Sequence, residues 1–161
     1  MEVTKVSLIS MNELDAKFKH EVAAQPGGEN IKVCFACGVC TGACPVSKLD
    51  ENFDPRKIIR MTLLGMKERV LSSEFIWLCA MCYNCSFHCP QDVRFADVMA
   101  VLRDMAVKEG YVHPSFLKQI KAIDSFSGDL RRQMVLLVVA KRSQSFGLDL
   151  KELLRQAEEK V

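Results

Sequence analysis

At 161 residues the chain is long enough for one domain with a real core and short for two independent ones. Apolar residues make up 49% and charged residues 26%, ordinary for a globular protein, and a net charge of +2 leaves no basic footprint for nucleic acid. The most apolar stretch, Met134 to Ala140, falls well short of the roughly 20 residues that cross a bilayer, so no membrane span is expected there but a buried helix or an interface.

The opening MEVTKVSLISMNELDAKFKHE has neither the apolar run nor the small-residue cleavage site of a signal peptide, which points to the cytoplasm. Residues 1–30 form an N-terminal arm, expected to begin with a short extended piece and to continue as a helix from about Asn12. The breaker cluster Gln25-Pro26-Gly27-Gly28-Glu29-Asn30 separates it from the core, residues 31–112. Within the core, Asp54 to Gly65 predicts a helix with an Asp N-cap, Pro55 at its first position and glycine closing it, its inner face built from Ile58, Ile59, Met61, Thr62 and Leu63. A second helix is expected from Ser72 or Ser73, delivering Trp77 and Leu78 against Cys79. Asp92 to Glu109 carries Phe95, Val98, Met99, Leu102, Met105 and Ala106 at helical spacing and stops at Gly110. The C-terminal extension, residues 113–161, predicts a segment from Pro114 broken at Gly128, an apolar helix from Asp129 to Arg142 and a polar one from Asp149 to Lys160. No segment alternates as a strand would, so the fold class is all-α.

All eight cysteines fall in two blocks of one pattern, Cys34-x2-Cys37-x2-Cys40-x3-Cys44-Pro45 and Cys79-x2-Cys82-x2-Cys85-x3-Cys89-Pro90, an internal duplication. A cubane cluster needs four thiolates around a compact inorganic core. C-x2-C-x2-C is a tight loop that wraps three iron corners and turns backbone N–H groups toward sulfur, and the fourth ligand comes from farther away. In the two-cluster arrangement the cysteine after the x3 gap serves the other cluster. One [4Fe-4S] site is therefore expected on Cys34, Cys37, Cys40 and Cys89, the other on Cys79, Cys82, Cys85 and Cys44. The prolines after the crossing cysteines suit a chain leaving the cluster, and Gly38 and Gly42 clear side chains where the first loop must lie close to it. The second block has Tyr83, Asn84, Ser86 and Phe87 in place of small residues, so the two clusters are expected to differ in potential, within a range of roughly −700 to +450 mV.

Zinc also takes four cysteines, but its motifs pair two C-x2-C knuckles, and disulfides within C-x2-C-x2-C would compete for overlapping partners. His88 is expected to be a solvated loop histidine and Trp77 an aromatic shielding a cluster from water. Lys67, Glu68, Arg69, Arg131 and Arg132 read as solvated faces or rim contacts. With eight cysteines spent on metal, and no phosphate loop or Ser/His/Asp constellation, no catalytic residue is assigned and the chain is expected to have no substrate site of its own.

The pieces CFACGVCTGACPVS, PRKIIRMTLLGMKERVLSS, FIWLCAMCYNCSFHCP and DVRFADVMAVLRDMAVKEGYVHP, spanning about Val33 to Pro114, resemble the iron-sulfur C subunit of heterodisulfide reductase and of heterodisulfide-reductase-like complexes. That family is similar to the helical ferredoxin domain of succinate dehydrogenase and fumarate reductase iron-sulfur subunits. The resemblance implies the all-α fold and the eight cysteines as cluster ligands. It also implies an electron-relay role between a flavin-containing A subunit and a cysteine-rich B subunit that reduces disulfides. Three other classes compete. A succinate dehydrogenase-type subunit would carry further cysteines ahead of Cys34, where there are none. A free two-cluster ferredoxin would often be short and strongly acidic, and a zinc-stabilised interaction protein would be colourless.

Overall fold

The computed structural model describes residues 10–140 and 149–159. All regular structure among them is helical, as the sequence pattern predicts, and the extended piece expected at the start of the arm lies outside them. The chain divides into two compact units, Met1–His113 and Pro114–Val161.

In the first unit the arm does not run helically from Asn12. A 3-10 turn, Met11–Glu13, is followed by a bend at Asp15, whose carboxylate accepts from Lys17 N (2.9 Å), before helix α1 (Phe18–Ala23) begins. The bend is locked from outside: Asp15 N donates to Gly65 O at 2.7 Å. Gly65 has φ +81°, and a Cβ there would stand 2.3 Å from Asp15 O, so only glycine lets the arm cross at this point. Phe18 and Val22 are fully buried in one core with Ile31, Ile59, Leu71, Ile76, Met99 and Leu102. Each such side chain contributes about 1.5–3 kcal/mol by leaving water.

Helix α2 (Pro55–Leu63) forms as its caps predict, the Asp54 carboxylate accepting from Lys57 N at 3.1 Å. Ile58, Ile59 and Thr62 face inward, and the buried Thr62 hydroxyl is satisfied by donating to Ile58 O (2.9 Å). Helix α3 (Lys67–Leu71) goes beyond the elements expected from the sequence, and Lys67 is not a merely solvated residue. Its ammonium lies 2.8 Å from both Glu21 and Glu109, joining α1 to the end of the last helix of the unit. Desolvation alone would lower its pKa, but its hydrogen bonds to Glu109 and Glu21 outweigh that and raise it. Helix α4 (Phe75–Leu78) starts later than Ser72 or Ser73, because Ser72 closes α3 and the Ser73 hydroxyl donates back to Val70 O (2.9 Å) rather than capping the next helix.

The central helix of the unit, α5 (Phe95–Lys108), begins three residues after the expected Asp92. Asp92 and Arg94 both have positive φ (47° and 55°), which the α-helix does not admit. Its predicted inner face is fully realised: Phe95, Val98, Met99, Leu102, Met105 and Ala106 are all buried.

In the second unit one 27-residue helix, Pro114–Ala140, runs through Gly128, which does not break it. A glycine inside a long helix costs only about 1 kcal/mol against alanine, too little to outweigh the helix formers on either side. Met134 to Ala140 is not buried, since Val135, Leu136 and Val139 are each nearly half exposed. The last helix, Leu150–Glu158, is capped by Asp149, whose carboxylate accepts from Lys151 N and Glu152 N, and packs against its predecessor. No helix among the described residues is long and apolar enough to cross a membrane.

Candidate iron-sulfur centre

The duplication seen in the cysteine spacing is a duplication of the backbone. Cys34 ends a 3-10 turn (Glu29–Val33) at φ −66°, ψ 120°, and Cys79 ends α4 at φ −63°, ψ 119°. Two residues on, Ala36 (φ 57°) and Met81 (φ 47°) turn left-handed. Beyond the second cysteine Gly38 (φ 86°) and Tyr83 (φ 60°) do so again. Each loop then closes in one helical turn, Val39–Gly42 and Asn84–Phe87, and the fourth cysteine donates its N–H back to that turn, Cys44 to Thr41 O at 3.2 Å and Cys89 to Ser86 O at 3.3 Å. Four left-handed residues, three of them not glycine, bend the loops tightly enough to turn amides inward. The amide of Ala36 donates to Cys34 Sγ and that of Val93 to Cys89 Sγ, both at 3.4 Å.

Two side-chain amides tie the blocks to each other. Asn84 Nδ2 donates to Ala43 O at 2.7 Å, beside Cys44, and Asn30 Nδ2 donates to Asp92 O at 3.0 Å, beyond Cys89. One cavity is lined by Cys34, Cys37, Cys40 and Cys89 together, with Cys85, Arg56 and Phe95 also on its wall. The thiols differ in exposure: Cys44, Cys79 and Cys85 are buried, Cys34, Cys40 and Cys89 partly so, and Cys37 and Cys82 exposed. Burial pushes the Cys40 thiol up to about 11 and raises Cys79 and Cys85 as well. Burial disfavours the charged thiolate at these three positions, which metal ligation must offset.

The residues fit cubane clusters. All eight cysteines are free of disulfides. A cubane offers four separate iron corners, and its thiolates stand apart around it. The buried hydroxyl of Ser86 has no nitrogen or oxygen partner and lies against the Cys85 thiol, whose pKa it lowers, as a donor toward cluster sulfur would.

Several supporting residues carry no motif of their own in the sequence. Thr41 donates to Asp54 Oδ1 (2.6 Å) and accepts from Arg56 N (3.1 Å), joining the first loop to the start of α2. Burial would raise the Asp54 pKa, but the Thr41 hydroxyl and the Lys57 amide outweigh it and hold the carboxyl below its usual range. Arg103, 5% exposed, donates to three carbonyls leading into the second loop. A signal for it existed: Arg103 falls seven and four residues after Ala96 and Met99, on the apolar face of its helix. Trp77 is partly buried against the core, and His88 is exposed, edge-on to Phe87 at 5.3 Å.

A helical fold that sets two such loops back to back defines a two-cluster iron-sulfur protein, and the chain carries two [4Fe-4S] clusters. Comparison with known proteins agrees. Residues 30–93 match the family described as the 4Fe-4S dicluster domain. The chain is 34% identical over 120 residues to the C subunit of the H(2):CoB-CoM heterodisulfide,ferredoxin reductase of Methanothermobacter thermautotrophicus, covering 74% of this chain and 62% of that one. It is 34% identical over 112 residues to an iron-sulfur C subunit of the CoB–CoM heterodisulfide reductase of Methanocaldococcus jannaschii, 65% of this chain and 59% of the relative. To the C subunit of the ferredoxin:CoB-CoM heterodisulfide reductase of Methanosarcina mazei it is 36% identical over 87 residues, 54% and 53% of the two chains. The chain thus spans about three-fifths of the length of the first two of these relatives. It is homologous to the C subunits of heterodisulfide reductases, as the sequence resemblance implies.

Proposed function

We propose that this chain is the electron-carrying subunit of a heterodisulfide-reductase-type complex, passing electrons between a flavin-containing subunit and a cysteine-rich subunit that reduces disulfides. The observation that carries the reading is the pair of matched four-cysteine loops. The ligand sets are Cys34, Cys37, Cys40 and Cys89 for one cluster and Cys79, Cys82, Cys85 and Cys44 for the other. The shared cavity of Cys34, Cys37, Cys40 and Cys89 and the amide tie from Asn84 to the carbonyl beside Cys44 support the crossing. The clusters supply one-electron chemistry. The chain's own part is to hold the thiolates, aim amides at sulfur and keep water from the buried side.

Each loop also has an apolar side chain standing out beside its cysteines, Phe35 (59% exposed) in the first and Phe87 (86%) in the second. Exposed aromatics next to redox centres suit the cores of two docking surfaces, one for a donor and one for an acceptor. The test is anaerobic purification of the tagged chain from its own cells, with iron and acid-labile sulfide analysis. About eight of each per chain, with a flavoprotein and a disulfide-reducing subunit in the same preparation, is the expected result. Clusters without either partner would leave a free ferredoxin, and zinc without sulfide would remove the electron-transfer reading altogether.

A further inference from the structure

The two loops each lie near an arginine, and the two arginines are in opposite surroundings. Arg56 is exposed, its Nη1 3.4 Å from where a Cβ on Gly38 would stand. Arg103 is buried in the middle of the central helix. Its Nε donates to Ile76 O at 2.7 Å, and its Nη2 donates to Trp77 O at 3.1 Å and Cys79 O at 2.7 Å. Its guanidinium carbon lies 5.8 Å from the centroid of the Trp77 ring. These partners come 24 to 27 residues earlier in the chain and run straight into the second loop. A helix end leaves its last carbonyls without intrahelical partners, and this one rigid fork closes α4.

We infer that Arg103 is a positioning residue for the Cys79 loop and that its charge raises the reduction potential of the cluster which that loop holds. The inference rests on the ligand assignment proposed above. Three of the four thiols in that set are buried, against none in the other. Reduction adds one negative charge to the cluster, and burial opposes that by removing water. A cation fixed on the carbonyl of a ligating cysteine, in ground where water does not screen it, offsets the penalty. Arg56 cannot do as much for the first loop, because solvent screens it. The structure therefore compensates the deeper cluster and leaves the shallower one to water.

The experiment is a potentiometric EPR titration with dithionite on wild type, Arg103→Gln and Arg103→Lys, each first assayed for iron and sulfide. Arg103→Gln should keep about eight irons and make one of the two clusters at least tenfold harder to reduce relative to the other, about 59 mV for a one-electron couple. Arg103→Lys should leave that ratio within about threefold, because the charge remains. Two unmoved potentials in Arg103→Gln, or both moving together, would overturn the inference. If glutamine strips a cluster, the lysine variant decides. Full iron with an unmoved ratio supports the role of charge, and loss of the same cluster or an equal shift refutes it. A wild type with well under eight irons would instead fail the ligand assignment itself.

Discussion

In the first loop glycine occupies the left-handed position after the second cysteine, and in the second loop tyrosine does, at φ 60°. The backbone is the same, so the second loop holds a strained residue in place by other means. Tyr83's hydroxyl faces Asp97 on the central helix, whose carboxylate raises the phenol's pKa. The first loop needs no such tie. It is braced through Thr41 and Asp54 to the capped start of α2, whereas the central helix begins at left-handed Arg94 with no side-chain cap. One half is anchored by hydrogen bonds from Thr41 to the start of the helix that follows it, 13 to 15 residues along the chain. The other is anchored from a buried helix, by Arg103 reaching carbonyls 24 to 27 residues earlier and by the core. Duplicated sequence produced duplicated loops, and each then acquired a different support.

The sharpest way to break the comparison is to test whether the halves are joined by crossing thiolates. Cys44→Ser should cost about four irons per chain, and so should Cys82→Ser, if both belong to one cluster. The double variant should then lose no more than either single one. Loss of nearly all iron from the double variant would mean that each block serves its own cluster, and EPR of the single variants would identify which cluster each cysteine holds.

Smaller effects should separate the two supports. Gly38→Ala should lower stability by about 1–2 kcal/mol, because alanine carries the left-handed penalty with no compensating bond. Tyr83→Gly should stay within about 1 kcal/mol of wild type, since relief of the left-handed strain offsets the lost side-chain contacts and the freer unfolded chain. Urea midpoints followed by loss of the iron-sulfur absorption would compare them, and equal costs at both sites would refute the difference in support.

The smallest expected change is at the cap. Asp54→Ala should cost about 1 kcal/mol at pH 7. The folded pKa of Asp54 is depressed, so its stabilisation is fully present above the unfolded carboxylate value, about 3.9, and is lost as pH falls through the lower folded value. The difference between wild type and variant, read by circular dichroism in urea, should therefore be equal at pH 7 and pH 5 and shrink only below about pH 4. A difference that changes between pH 7 and pH 5 would place its origin elsewhere.

The spacing of the cysteines, the cap before Pro55 and the apolar face from Phe95 to Ala106 were all legible in the chain, because ligand count, capping and helical period are local properties. They determined the helical class and the two-cluster content. The late start of α5 at Phe95, the continuity of Pro114–Ala140 through Gly128 and the role of Ser73 as a closing rather than an opening residue were not legible. Each depends on which of two permitted conformations the neighbours stabilise. What only the tertiary structure decided is the asymmetry between the halves. Arg103 gains its meaning from carbonyls 24 to 27 residues away, Lys67 from Glu21 and Glu109, and Gly65 from the passage of Asp15. The helical period could mark Arg103 as buried, but it names no partners, because contacts so distant in sequence arise only when packing has brought the segments together.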